Sequence, residues 1–356
     1  MRVVAILLVL LTGCTSPIST LVSERDSPAV SSLITSLESR PLRVHRVSFG
    51  DGEMAIRDIG PERSDRAVVF LHGVFSDHET WRFVAGALEE ERCWLVDLPG
   101  SGDSDPMPAS YAPEALAAAL DEVLRAMPAV EHLVVVGHSM GTQVAMRLVD
   151  ERVEALVLLA PLDQRLHRQH PTYRGLAEVS GFDVWVADVT GRLERSVVRA
   201  MLGGVEDPAY ATREHAAHRI RILRSPSRLR ATQAMIRDAI SWEPDDSADW
   251  PRNEARHSTI SLGDRRATMV VGAHDELMPP STAFRLAADL GAWVVVFEGS
   301  RHSPQRDHPR EVASVIRSMI SGSAPTDGAV YDLRSSASRS GSSASPNRAA
   351  LPIEEW

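Results

Sequence analysis

Acyl transfer needs a nucleophile, a base and an acid to orient the base, and this chain holds a serine, a histidine and an aspartate in positions suited to those roles. Ser139 lies in Gly137-His138-Ser139-Met140-Gly141, directly after the apolar run Val134-Val135-Val136 and directly before the helical stretch Thr142-Gln143-Val144-Ala145-Met146. A strand that turns sharply into a helix through Gly-x-Ser-x-Gly projects the serine hydroxyl. The glycines are needed because strand and helix pass close to the turn and leave no room for side chains. A serine hydroxyl is a weak nucleophile at neutral pH; it needs a histidine to take its proton and a carboxylate to orient that histidine. Downstream, Asp275 follows the apolar run Ala267 to Val271, and His302 follows Trp293 to Phe297. Both sit just past predicted strand ends, where open α/β sheets place their ligands. Among 13 histidines, His302 alone combines this chain order with a place off the last strand. Glu276 and Asp163 are rivals for the acid, and each also reads as a solvated loop carboxylate. The amide of Met140, next to the nucleophile, is one donor for an oxyanion.

These residues must be carried by a sheet. Arg43 to Phe49 and Met54 to Ile59 flank Gly50-Asp51-Gly52, which reads as a hairpin. Apolar strands follow at Ala67 to Leu71, Cys93 to Val96, His132 to Val136, Ala155 to Leu159, Ala267 to Val271 and Trp293 to Phe297. Between most of them, Trp81 to Glu90, Pro113 to Met127, Thr142 to Asp150, Ser281 to Leu290 and Pro309 to Ile320 space apolar residues at helical period. Strands alternating with helices predict an α/β fold with a mostly parallel central sheet flanked by helices. The interval from Pro161 to about Arg266 is far longer than a loop. It is expected to form a largely helical cap inserted after the sixth strand.

Val68 to Phe75, Asp97 to Ser104 (a glycine-rich turn beside the site), the serine turn, Gly272 to Asp275 and Gly299 to His302 together resemble the motifs of the α/β-hydrolase fold. The likeness spans roughly 40 to 320, less the cap. It implies a Ser139, Asp275, His302 triad, and Asp163 stands where some members place the acid. By similarity to HGxx loops, it implies that Val74 in His72-Gly73-Val74-Phe75 is the second oxyanion donor, with the Met140 amide the first, and that Gly73 lets the backbone approach the substrate. His72 reads as a structural hydrogen-bonding residue. The expected function is a serine hydrolase cleaving carboxylic esters through an acyl-enzyme, with no cofactor. Alternatives are other chemistry of the same triad (carbon-carbon bond hydrolysis, acyl transfer or cofactor-free haloperoxidation) and a non-catalytic envelope binding protein. Relatives that open epoxides or cleave carbon-halogen bonds normally carry an aspartate at the turn, which Ser139 disfavours. Fold by itself does not settle the substrate.

The ends carry other signals. Arg2 followed by the apolar run Val3 to Leu11 reads as a signal peptide, too short to span a bilayer. Leu11-Thr12-Gly13-Cys14 resembles the lipobox of bacterial lipoproteins, implying lipidation of Cys14 and anchoring to a membrane of the bacterial cell envelope. Residues 1–13 are then the signal and 14–40 a Ser- and Thr-rich tether, apart from a Val30 to Leu37 stretch able to form a short helix. The core is expected at 41–162 and 267–320, the cap at 163–266, and a disordered Ser-rich tail at 321–356. With a net charge of -10 the chain is not a nucleic-acid binder, and two cysteines give no disulfide framework. The expected substrate is a small-molecule ester or a lipid-like one. Phe182, Trp185, Met201, Met235 and Trp242 are candidates for an acyl pocket or for the cap's own packing. The run Arg219, Arg221, Arg224, Arg228 and Arg230 reads as a solvated face, or else as a surface for an anionic partner. His167 with His170, and His215 with His218, have helical spacing, but no third metal ligand is apparent.

Overall fold

The computed structural model describes residues 16–108, 110–163, 175, 177–239 and 260–334. Its strands are β1 (Leu42–Phe49), β2 (Gly52–Ile59), β3 (Arg66–Leu71), β4 (Cys93–Val96), β5 (His132–His138), β6 (Val153–Leu159), β7 (Arg266–Gly272), β8 (Trp293–Phe297) and β9 (Ala329–Asp332). They form one sheet in the order β1-β2-β4-β3-β5-β6-β7-β8-β9. The run from β4 through β3 to β8 is parallel, while β1, β2 and β9 pair antiparallel at the edges. Side chains alternate across a strand, so an apolar run buries both faces. In β3, Ala67, Val69 and Leu71 enter one core and Val68 and Phe70 the other.

Helices α1 (Ser31–Glu38), α2 (Arg82–Ala87), α3 (Pro113–Ala126) and α4 (Met140–Met146) precede the cap. The cap holds α5 (Gly181–Val189), α6 (Arg192–Gly203), α7 (Arg213–Arg224) and α8 (Pro226–Ala239), followed by α9 (Pro280–Leu290), α10 (Pro304–Asp307) and α11 (Pro309–Ser321) in the body. α3, α4 and α9 cover one face of the sheet; α1, α2 and α11 cover the other. The cap has a core of its own, with Val184, Leu193, Val197, Ile220, Leu223 and Leu229. Through Ala231, Met235 and Ala239, α8 roots it in the body.

Four expectations change. The tether is folded from Ser16 onward: Val30, Leu33 and Ile34 are buried against α2 and the sheet, because their helical spacing makes one apolar stripe in a Ser-rich segment. Upstream, Glu24 pairs with Arg82 at 2.8 Å, and the Ile18 and Glu24 amides donate to Glu194 and Glu214 of the cap. The tail is ordered as far as Arg334, since β9 completes the sheet beside β8, with Tyr331 edge-on to Phe284 and Arg334 over Trp293. The cap's return begins before 266, because Ile260 and Leu262 already pack in the body's core. Two helices are shorter than their patterns: α2 stops at Ala87 before Glu89-Glu90-Glu91, and α4 at Met146 before Asp150-Glu151. Acidic side chains are unfavourable at a helix's negative C-terminal end. The signal segment, Cys14, His167, His170, Trp242 and the tail beyond 334 lie outside the described residues.

Candidate active site

Ser139 joins β5 directly to α4 with φ +52° and ψ −119°, a conformation costing a non-glycine residue about 1–3 kcal/mol. The surroundings hold it there. Its amide donates to Leu159 O at 2.9 Å, and Thr142 Oγ1 donates to its carbonyl at 2.6 Å. A Cβ on Gly141 would lie 2.4 Å from Leu71 O, so only glycine lets the helix start against β3. Met140 is the first residue of α4, and its N–H is among those a helix start leaves without an intrahelical partner.

Asp275 and His302 are brought together by the ends of β7 and β8. Gly272 makes the approach possible: a Cβ there would meet Arg301 O at 2.3 Å. The Ala273 and His274 amides then bond Phe297 O and Ser300 O across the two loops. His302 Nδ1 donates to Asp275 Oδ2 at 2.9 Å, while Asp275 Oδ1 accepts from the Leu277 and Met278 amides, each at 2.9 Å. The His302 loop is tied by buried Asp307, which accepts from Ser300 Oγ and the Arg301 amide, both at 3.1 Å. Of the rival acids, Glu276 is exposed, and Asp163 is buried beyond the end of β6.

The loop 72–77 lies opposite. The Leu98 amide donates to His72 Nε2 at 3.0 Å, so the ring proton sits on Nδ1 and goes to Gly73 O at 2.8 Å. Burial lowers the His72 pKa and keeps it neutral in this structural place. Gly73 faces Ser139, whose Cβ would stand 3.0 Å from an added methyl. The next residue but one, Phe75, also has positive φ, at +58°.

Ser139, His302 and Val74 line one cavity of about 310 Å³ between body and cap, at the small end of the roughly 300–1,000 Å³ typical of ligand pockets. Its cap wall includes Leu193, Val197, Met201 and Leu223. Of the cap's hydrophobic candidates, Met201 thus lines the cavity. Met235 is instead buried in the body's core, and Phe182 and Trp185 stack on each other at 5.7 Å on the cap's exterior, 70% and 58% exposed. The arginine run divides: Arg219 reaches the cavity, Arg224 pairs with Asp188, Arg228 lies 3.8 Å from Asp103, and Arg230 is exposed.

Three residues of the site, His138, Arg306 and Tyr210, carry no role in the sequence, and a fourth, His215, is singled out there only for its spacing from His218. His138 donates from Nε2 to His302 O at 2.8 Å, fixing the loop that carries His302. Burial, helped by the neighbouring His302, lowers its pKa to about 3. Arg306, His215 and Tyr210 also line the cavity. His138 is visible inside the serine motif, whereas Tyr210 and His215 belong to the cap and Arg306 to the body beneath it. The His215 and His218 pair does not converge on a metal: His215 accepts from Arg219, and His218 bonds Asp77. Asp77, His78 and Asp97 do cluster, but the two Asp97 oxygens already accept from His78, Arg57 and the Asp103 amide.

Comparison with known proteins gives the same outline. A bifunctional biotin-biosynthesis protein of Teredinibacter turnerae is 26% identical over 74% of this chain, and the chain spans about half of it, 46%. An esterase of Mycobacterium tuberculosis is 31% identical over 71% of this chain and 82% of that one. The solved 2-hydroxy-6-oxo-6-phenylhexa-2,4-dienoate hydrolase of a Rhodococcus strain superposes with a TM-score of 0.62 over 79% of this chain and 99% of that one, at 18% identity. At that identity the likeness speaks for the fold alone. The model of the alpha/beta hydrolase family matches residues 68–315, from β3 across the cap to α11, and the chain belongs to that family.

Proposed function

We propose that this protein is a serine hydrolase that cleaves carboxylic esters through an acyl-enzyme on Ser139. The observation that carries the reading is the Asp275–His302 hydrogen bond, made at the cavity into which strained Ser139 projects. With its proton on Nδ1, His302 offers Nε2 as the base. It takes the Ser139 proton as Oγ attacks the ester carbonyl. The amides of Val74 and Met140 hold the oxyanion, and loss of one such donor costs about 100 to 1,000-fold in rate. His302 then protonates the leaving alcohol, and a water activated by the same ring releases the acid. None of these steps calls on a cofactor. Apolar cap residues along the cavity fit an acyl chain. The test is Ser139→Ala: it abolishes turnover of a graded ester panel and labelling by a fluorophosphonate, with an unchanged circular dichroism spectrum. Undiminished turnover would refute the assignment.

We further propose that the protein is held on a membrane of the bacterial cell envelope by lipid on Cys14. Its support is the run Leu11-Thr12-Gly13-Cys14 behind an apolar segment. Residues 16–24, next in the chain, lie along cap helices α6 and α7. A lipid on Cys14 would therefore bring the cap close to the membrane surface.

A further inference from the structure

Two buried side chains that line the cavity, one of the body and one of the cap, each hold a donor without an acceptor. Arg306, on α10 just past His302, is 3% exposed. Its Nη1 donates to Tyr210 O at 2.9 Å, but its Nε has no partner. Among the described residues, no carboxylate stands within 4 Å of its guanidinium. The acidic groups nearest in charge, Glu24 and Glu79, are both bound by Arg82, at 2.8 and 3.2 Å. The second donor is His215 on α7, 8% exposed. Its Nε2 accepts from Arg219 Nε at 3.0 Å, so the ring's proton is on Nδ1, which has no acceptor. Burial keeps this ring neutral, and it pulls the Arg306 pKa down to about 9, with the charge of Arg219 adding to the effect; Arg306 remains a cation at neutral pH. A buried cation with no carboxylate in contact, near a buried N–H without an acceptor, is a costly arrangement unless a ligand completes it.

We propose that Arg306 and His215 form a subsite for a carboxylate carried by the substrate, so that the acyl chain runs from Ser139 past apolar cap residues to an anionic end. This inference rests on the ester-hydrolase reading of Ser139 and names its substrate class: hemiesters of dicarboxylic acids, or esters whose acyl part ends in a carboxylate. Arg219, stacked 4.9 Å from the Phe75 ring centroid, adds positive potential at the same wall. The apolar lining strengthens each of these interactions by excluding water.

The experiment compares kcat/KM for p-nitrophenyl hemiesters of straight-chain dicarboxylic acids with that for uncharged, methyl-capped esters of equal length. The expected wild-type ratio favours the charged series by at least about tenfold at one chain length. In Arg306→Met it falls by about 10 to 100-fold, the worth of a charged hydrogen bond. A ratio near one in the wild type, or one unmoved by Arg306→Met, overturns the subsite. If Arg306→Met does not fold, His215→Phe and Arg306→Lys replace it. Each is expected to lower the ratio, since one removes the second donor and the other swaps the planar fork for a point charge. Calorimetric titration of Ser139→Ala protein with the monomethyl esters of the same diacids reads the subsite without turnover. Binding there, with a wild type that hydrolyses no ester, supports the subsite and refutes the esterase reading. Turnover without charge preference overturns the subsite alone. Equal binding of acetate and inorganic phosphate marks a general anion site and overturns the assignment to substrate.

Discussion

Replacing Asp275 by asparagine separates the orienting role of this carboxylate from its structural one. Asp275 Oδ1 accepts two backbone amides and Oδ2 accepts the His302 ring, all at 2.9 Å. An asparagine has one acceptor oxygen and one NH₂ group. Turning NH₂ toward the Leu277 and Met278 amides would set donors against donors, so the oxygen stays there and NH₂ meets His302. The ring must then present a lone pair at Nδ1 and carry its proton on Nε2, the side needed to deprotonate Ser139. The base is lost while the loop remains bonded. We expect kcat to fall by about 10³ to 10⁴, equivalent to roughly 4–5.5 kcal/mol in the barrier, which is the scale seen when a triad histidine is forced into the wrong tautomer. Stability should change little. Asp275→Ala instead strands both amides at about 1–3 kcal/mol for each buried donor, so it should lose activity and thermal stability together. The assay is initial-rate hydrolysis of an activated ester from pH 6 to 9, with fluorophosphonate labelling rates and thermal denaturation on the same preparations. An Asp275→Asn protein within tenfold of wild-type kcat refutes the tautomer argument and moves the acid elsewhere, with buried Asp163 next in line.

For Cys14→Ser, the expected outcome is loss of the protein from the membrane fraction and of metabolic labelling by a fatty acid; continued pelleting with membranes would remove the lipid anchor. His78 sets a pH dependence on the body. Burial opposes its charge, but hydrogen bonds to Asp97 and Glu79 outweigh burial and hold its pKa at about 9, above the unfolded value of 6.5. A raised folded pKa stabilises fully below about pH 6.5, and that contribution disappears as pH rises through about 9. The loss should amount to about 3 kcal/mol. Urea midpoints from pH 6 to 9.5 should fall in the wild type and stay flatter in His78→Gln; equal slopes would exclude His78 as the cause.

How much of this could be read from the chain depends on how far apart the cooperating residues lie. Ser139 is set by its own glycines, and Asp275 and His302 by strand ends a few residues upstream, so local pattern puts them at the ends of β5, β7 and β8. The folded N-terminal segment was obscured because Ser and Thr dominate its composition, although Val30, Leu33, Ile34 and Leu37 stand at helical spacing. The β9 strand has four residues and only partial burial, too short a signal to oppose the polar tail around it. The cap resisted for a different reason. Phe182, Trp185 and Met235 are hydrophobic enough for a pocket, yet hydrophobicity does not say which face of a helix meets the cavity: two are on the outer surface and one is in the body's core.

The same distinction separates chemistry from selectivity. The groups proposed to make and break bonds come from turns at the C-terminal ends of β5, β7 and β8, fixed by steric conditions such as the 2.4 Å clash that a side chain on Gly141 would bring. Arg306 of α10 and His215 of α7 line one cavity from the body and from the cap, and α7 is held by contacts from two sides: His218 to Asp77 of the body, and Glu214 to the N-terminal segment. A cap placed even one helical turn away would keep the Asp275–His302 pair intact and dissolve the pairing of donors. If the proposed subsite holds, proteins that share the Asp275–His302 arrangement can differ in the charge of their substrate without changing a residue of the serine turn. In this chain the determinant of charge should be sought in the register of α7 against the loop after β8.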